Sequence, residues 1–210
     1  DYDWADLIDQ EDKVRMLISP QSEYAMSGAW AMGRAMDDAI ISAASGNAFG
    51  GVSGGTTVAL PSGQKIVHAS AGLTLAKLIS AKEVLDAADT DPDEPRYMVV
   101  SAKQLSDLLG STTITSADFN SVKALVQGEL DTFLGFNFIR SERLSTDSDG
   151  NRSVLGFCQS AIGLALGRDI ETRISERADK NYATQVFLSM TIGATRVEDE
   201  KVVEVACTES

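Results

Sequence analysis

Residues 21–45 read QSEYAMSGAWAMGRAMDDAIISAAS, and the way apolar residues recur along this stretch decides the fold. Met26, Ala29, Trp30, Gly33, Met36 and Ile40 follow one another at three- and four-residue intervals, the spacing that aligns side chains on one face of an α-helix. Pro20 stands at the start, where a helix needs no N–H from it. The spacing predicts a helix from Gln21 to Ser45, roughly 37 Å long at 1.5 Å per residue, burying those six residues as its stripe.

The segments on either side fix the class. Ahead of the helix, Asp1, Asp3, Asp6, Asp9, Glu11 and Asp12 alternate with Tyr2, Trp4, Leu7 and Ile8, an acidic segment with apolar anchors that packs against something. Behind it, five of the ten residues from Gly46 to Gly55 are glycine, which predicts a flexible connector. Thr57–Leu60 and Lys65–His68 then read as a hairpin around Pro61-Ser62-Gly63. Thr74 caps a second helix through Leu85. Arg96–Val100 is a buried strand, and Ser101 with Gln104 forms a capping box for a short helix ended by Gly110. Ser116 opens another helix to Gly128. Gly135–Ile139 and Val154–Cys158 are expected to pair through a turn at Asp149-Gly150. Ala161–Arg168 fits helix or strand, and Ile170–Ile174, Gln185–Met190 and Lys201–Cys207 alternate as antiparallel strands with one wet face. Helices and strands do not alternate as a doubly wound sheet requires, so the class is α+β.

Composition excludes several functions. With 18 basic and 31 acidic residues the net charge is −13, which repels phosphate backbones and argues against a DNA-binding regulator. The longest uncharged run, Ala39–Gln64, contains six glycines and is no membrane span. Cys158 and Cys207 lack metal or redox spacing and read as buried thiols. No basic region followed by an apolar core appears, so a cytoplasmic product is expected.

Candidate chemistry is sparse. The one histidine, His68, sits beside a turn with no motif serine, and a catalytic base needs a partner that orients it. The glycine run follows a helix and lacks the Lys-Ser/Thr ending of a phosphate loop. Asp147, Asp149 and Asn151 resemble the start of a calcium loop, but Gly150 comes too early and no glutamate closes it. The acidic loop Asp89–Glu94 offers carboxylates to a cation and also reads as a solvated tip. The mixed-charge stretch Arg168–Lys180 suits ion pairs between subunits. No cofactor and no metal are expected.

Five segments in order, ADLIDQEDKVRMLISPQSEYA (5–25), WAMGRAMDDAIISAASGNA (30–48), LTLAKLISAKEVLDAADTDPDEPRYMVVSAKQLSDLL (73–109), ITSADFNSVKALVQGELDTFLGFNFIRSERL (114–144) and RISERADKNYATQVFLSMTIGATRVEDEKVV (173–203), resemble the major capsid proteins of tailed bacteriophages. The resemblance implies the Hong Kong 97 fold, with a long spine helix, a peripheral domain and an axial domain. It assigns residues 1–20 to the end of an extended loop, 21–72 to the spine helix and a peripheral segment, 73–164 to the axial domain, and 165–210 to return strands of the peripheral domain. It implies a coat protein, not an enzyme, that assembles in the bacterial cytoplasm into hexamers and pentamers of an icosahedral virion shell. That shell encloses double-stranded DNA without gripping it; scaffold, portal and decoration proteins are its further partners. Subunit-interface candidates are Trp4, Leu7 and Ile8 in the lead-in and Glu176, Arg177, Asp179 and Lys180 in the charged stretch. An encapsulin-like nanocompartment shares the fold and stands as an alternative; a small acidic cation-dependent enzyme using the Asp89–Glu94 loop is the alternative from another class.

Overall fold

A computed structural model describes residues 1–9, 11, 15, 20–88, 90–91, 93–110 and 132–209. The helix expected from Ser116 to Gly128 lies outside them. The chain divides into two units, one of residues 1–40 and 164–194 and the other of residues 41–163 and 195–210. The long helix α1 spans Pro20–Ser45, as its spacing predicts, and contributes to both.

In the first unit, β1 (Tyr2–Ile8) pairs antiparallel with β10 (Ala183–Arg196), running from Tyr2 opposite Met190 to Ile8 opposite Thr184. β9 (Ile162–Arg177) lies on the other side of β10, so the sheet order is β1-β10-β9. The stretch that fitted helix or strand is the start of β9. The core is Ile8, Met32, Val186, Leu188 and Met190, with Trp4, Tyr24, Ala25, Ala35, Met36 and Ile170 packed on it. The buried face of α1 is therefore not the expected stripe. Trp30 is 63% exposed and Met26 48%, while Gly28 and Met32 face inward. With Ala and Gly so frequent, α1 has almost no contrast between faces, and the volume available beneath it decides its rotation. Gly28 is where sheet and helix approach most closely: a Cβ there would lie 2.6 Å from Leu188 Cδ1 and 2.8 Å from the Trp4 ring. At Gly33 it would meet nothing within 4 Å.

The second unit is built on a six-stranded sheet, ordered β4-β11-β8-β5-β7-β6. Its strands are β4 (Lys65–Ile66), β5 (Arg96–Val100), β6 (Thr132–Phe133), β7 (Phe136–Arg140), β8 (Asn151–Cys158) and β11 (Val202–Thr208). Side chains alternate cleanly to its two faces. Met98, Val100, Val154, Cys158, Val203, Val205 and Cys207 join Leu73 and Leu78, Ala81 and Leu85 from α2 (Leu75–Ala87) and Leu108 from α3 (Ala102–Gly110). Val99, Leu155 and Val202 point the other way, onto Ile41 and Ala44 at the end of α1 and onto Leu60 and Leu144. Both faces are covered, which is why these strands read as near-continuous apolar runs.

The local signals hold. Thr74 Oγ1 accepts from the Lys77 N–H, and the Ser101 N–H donates to Gln104 Oε1 at 2.6 Å. Pairings over longer distances differ. β7 and β8 are not neighbours: β5 lies between them, parallel to β7 and antiparallel to β8. The Asp147–Gly150 turn exists, closed by a Gly150 N–H to Asp147 O bond of 3.2 Å, but it joins strands separated by β5. Lys65–Ile66 pairs parallel with β11 instead of returning on Thr57–Leu60. The glycine run forms its own hairpin, β2 (Ala48–Gly50) with β3 (Thr56–Val58). Residues 41–72 belong with the six-stranded sheet, and so does β11, which pairs along its whole length with β8 and cannot complete the other sheet.

Candidate assembly interface

In the first unit the lead-in is an edge strand. Ile8 is 2% exposed and Trp4 packs beside it, so both contribute to the unit's own core, because their alternate positions on β1 face α1. Leu7 points outward, 40% exposed. Leu164, Leu166 and Ile174 on β9 are also exposed.

The β9–β10 turn brings two of the charged candidates together. Arg177 Nε and Nη2 donate to Asp179 Oδ1 and Oδ2 at 2.7 and 2.6 Å, and Nη1 donates to Gln185 Oε1 at 3.1 Å. These bonds hold the Asp179 carboxyl down to about 2 and raise the Arg177 guanidinium. Two residues of β9 repeat the motif: Arg173 donates twice to Glu171 and lowers its carboxyl. Arg177 and Asp179 thus serve first as a bidentate lock on their own turn. Glu176 and Lys180 lie on the exposed surface beside it.

The second unit contains a buried cation that sequence reasoning missed. The Arg196 side chain is fully buried and pairs with Asp199. Its Nη1 donates to Ala44 O at 3.1 Å and to Gly46 O at 2.6 Å, and Nη2 to Val58 O at 3.0 Å. The last turn of α1 has no basic residue of its own, so Arg196 supplies the positive charge that the exposed carbonyls of a helix end attract. The same guanidinium ties down both ends of the β2–β3 hairpin. An Asp three residues after the Arg was the only local signal. Lys77 plays a similar part: Nζ donates to the carbonyls of His68, Ala71, Gly72 and Ala206 at 2.7 to 3.0 Å, while burial lowers its pKa.

Among the described residues, several groups that could support catalysis form local bonds. Hydrogen bonding from the Ser160 side chain, and then from its N–H at 2.6 Å, lowers the Glu94 carboxyl. Lys201 donates to Ser160 Oγ at 2.9 Å, but Glu198 raises the Lys201 ammonium, and a serine base must be neutral. His68 Nδ1 accepts from the Ser70 N–H. Asp147 accepts from Asp149 and Asn151 N–H groups within its turn. Among the described residues no three carboxylate, histidine or cysteine side chains gather as a metal site, and no helix is long and apolar enough to cross a membrane.

A family model described as phage capsid protein matches residues 1–209. The chain belongs to that family. No curated protein matches this capsid protein in sequence. Its fold is found in a solved structure from Mycobacterium phage Che8, with 22% identity over 97% of this chain and 69% of that one, at a TM-score of 0.69. The capsid of Cyanophage P-SCSP1u superposes at 0.74, with 19% identity, covering 100% of this chain and 72% of its own. The holo-SrpI encapsulin complex from Synechococcus elongatus PCC 7942 superposes at 0.62 with 10% identity, over 99% of this chain and 74% of that one. The α+β architecture is that of the Hong Kong 97-type capsids, and the protein is a structural, self-assembling major capsid protein of a phage virion.

Proposed function

We propose that this capsid protein closes as hexamers and pentamers into an icosahedral shell around double-stranded DNA, assembled in the host cytoplasm with scaffold, portal and decoration proteins as partners. The family match over residues 1–209 carries this reading. The unit of residues 1–40 and 164–194 acts as the peripheral domain with α1 as spine, and the unit of residues 41–163 and 195–210 as the axial domain. A net charge of −13 suits a wall that must hold packed DNA without binding it. Contacts between copies are individually modest and sum by symmetry; Leu7, Glu176 and Lys180, with the Arg177–Asp179 lock behind them, form one rim. Electron microscopy of particles from expressing cells tests the reading. Regular shells holding nuclease-protected DNA are expected, and compact monomers under all assembly conditions overturn it. The encapsulin likeness gives the second reading a concrete outcome: shells that enclose protein cargo and no nucleic acid.

A further inference from the structure

The β2–β3 hairpin is anchored at its base and apolar at its tip. Arg196 bonds Gly46 O before β2 and Val58 O at the end of β3, and Ala48 pairs with Val58. At the far end the chain turns through Gly51 (φ 86°) and Gly54 (φ 64°), with Gly54 N–H bonded to Gly51 O. Val52 at this turn is fully exposed, and Phe49 is 68% exposed. From Ala48 to Val58 the sequence AFGGVSGGTTV carries no charge. A clamped, neutral protrusion displaying Phe and Val is built to be buried by a partner, since its burial desolvates no charge.

The same unit carries a recess of matching chemistry. The face of α2 opposite the core leaves Ile79 51% exposed, and an open groove of about 560 Å³ runs over Ile79, Lys82, Glu83, Asp86 and Ala87. It offers apolar surface at Ile79 and Ala87 beside the charged Lys82, Glu83 and Asp86, to which Ser53, Thr56 and Thr57 of a hairpin can offer hydroxyls. Within one chain the tip and the groove both remain exposed.

We infer that the 48–58 hairpin of one copy inserts Phe49 and Val52 into the α2 groove of the next copy around a capsomer. This rests on the shell reading above, which makes the neighbour another copy of this chain. A head-to-tail contact between two different patches closes a ring when the rotation fits, so one finger and one groove per subunit serve pentamer and hexamer alike.

The test is a Val52→Cys, Ile79→Cys double variant in assembled particles under mild oxidation; the native Cys158 and Cys207 are buried. A non-reducing gel is expected to show a ladder rising to five and six linked chains, with each single variant running as one chain. Particles that assemble but give no ladder, or a disulfide closed within one chain, overturn the inference while leaving the shell reading intact. Absence of particles from the unmodified protein overturns the shell reading, and the inference with it. Val52→Asp supplies an independent measurement: about a tenfold rise in the concentration needed for assembly, a free-energy change of about 1.4 kcal/mol, with subunit melting unchanged. Unchanged assembly refutes the contact.

Discussion

Gly28 and Gly33 lie on the same helix and invite the same substitution, yet their surroundings predict opposite outcomes for alanine. In either place alanine gains about 0.8–1 kcal/mol of helix propensity over glycine. At Gly33 nothing lies within 4 Å of the new methyl, so the gain is kept whole. At Gly28 the methyl would stand 2.6 Å from Leu188 Cδ1 and 2.8 and 3.0 Å from two Trp4 ring carbons. Leu188 is wholly buried and an indole cannot bend, so helix and sheet must separate. Overpacking of this kind costs about 1–3 kcal/mol, which cancels or outweighs the propensity gain. Gly33→Ala is expected to raise the melting temperature by ~2–4 °C if the whole chain melts in one step and by roughly twice that if the first unit melts alone, and Gly28→Ala to leave it unchanged or lower it by several degrees. Thermal unfolding followed by circular dichroism separates the two, read on the transition that includes α1 if the units melt in separate steps. Equal stabilisation by both substitutions would refute the packing of α1 on β1 and β10, and with it the face assigned to this helix.

Arg196→Met leaves three carbonyls and Asp199 without their donor and is expected to cost about 3–5 kcal/mol, read as a lower denaturant midpoint; Arg196→Lys restores less than half, since a single ammonium cannot span the fork's acceptors. A loss below 1 kcal/mol would show that the clamp contributes little. Burial raises the Cys158 thiol and pushes the Cys207 thiol up to about 11, so at pH 8 both should react with a thiol reagent only as fast as the second unit opens. Rapid labelling under native conditions would contradict their burial. Asp179, held near 2 in the fold against about 3.9 when free, is a depressed acid. Its contribution is present above the free value and lost as pH falls through about 2; carboxyl NMR should show this titration, and Arg177→Gln should return it towards 4.

What was legible in the sequence was local. Thr74 and the Ser101-Gln104 pair name helix starts because the capping bond spans three residues, and Arg96–Val100 is a strand because both sheet faces are covered. The length of α1 was likewise written in Pro20 and the run to Ser45. Its rotation was not, because Gly28 matters through Trp4 and Leu188, which stand far from it in sequence. The strand order escaped for the same reason. A turn at Asp149-Gly150 promises a hairpin, but β5 gains a parallel partner in β7 and an antiparallel one in β8 by entering between them. Arg196 reaches Ala44 across 152 residues, and no spacing rule covers such a contact. Of the interface candidates, Arg177 and Asp179 lie together as a pair bonded inside their own turn, and Ile8 and Trp4 pack in the core of the first unit, because an apolar residue in an acidic strand anchors a core as readily as a rim.

The two units differ in how completely they satisfy themselves, and that difference bears on assembly. The six-stranded sheet buries both faces within its own chain, and Arg196 and Lys77 meet carbonyls that would otherwise be left bare. The three-stranded sheet has α1 on one face and, in β9, a 16-residue edge strand with Leu164, Leu166 and Ile174 exposed. Soluble monomers blunt such edges with proline, with lysine or by making them short. β9 contains neither proline nor lysine, and its Arg173 and Arg177 are already bound to Glu171 and Asp179, with Arg168, Asp169 and Glu176 as its further charged side chains. An edge left this long, with apolar side chains exposed along it, would be an aggregation hazard for a protein that works alone. In a coat subunit the same feature favours contact with further copies, so a sheet that a monomer would have to protect is consistent with a protein whose finished state is a shell.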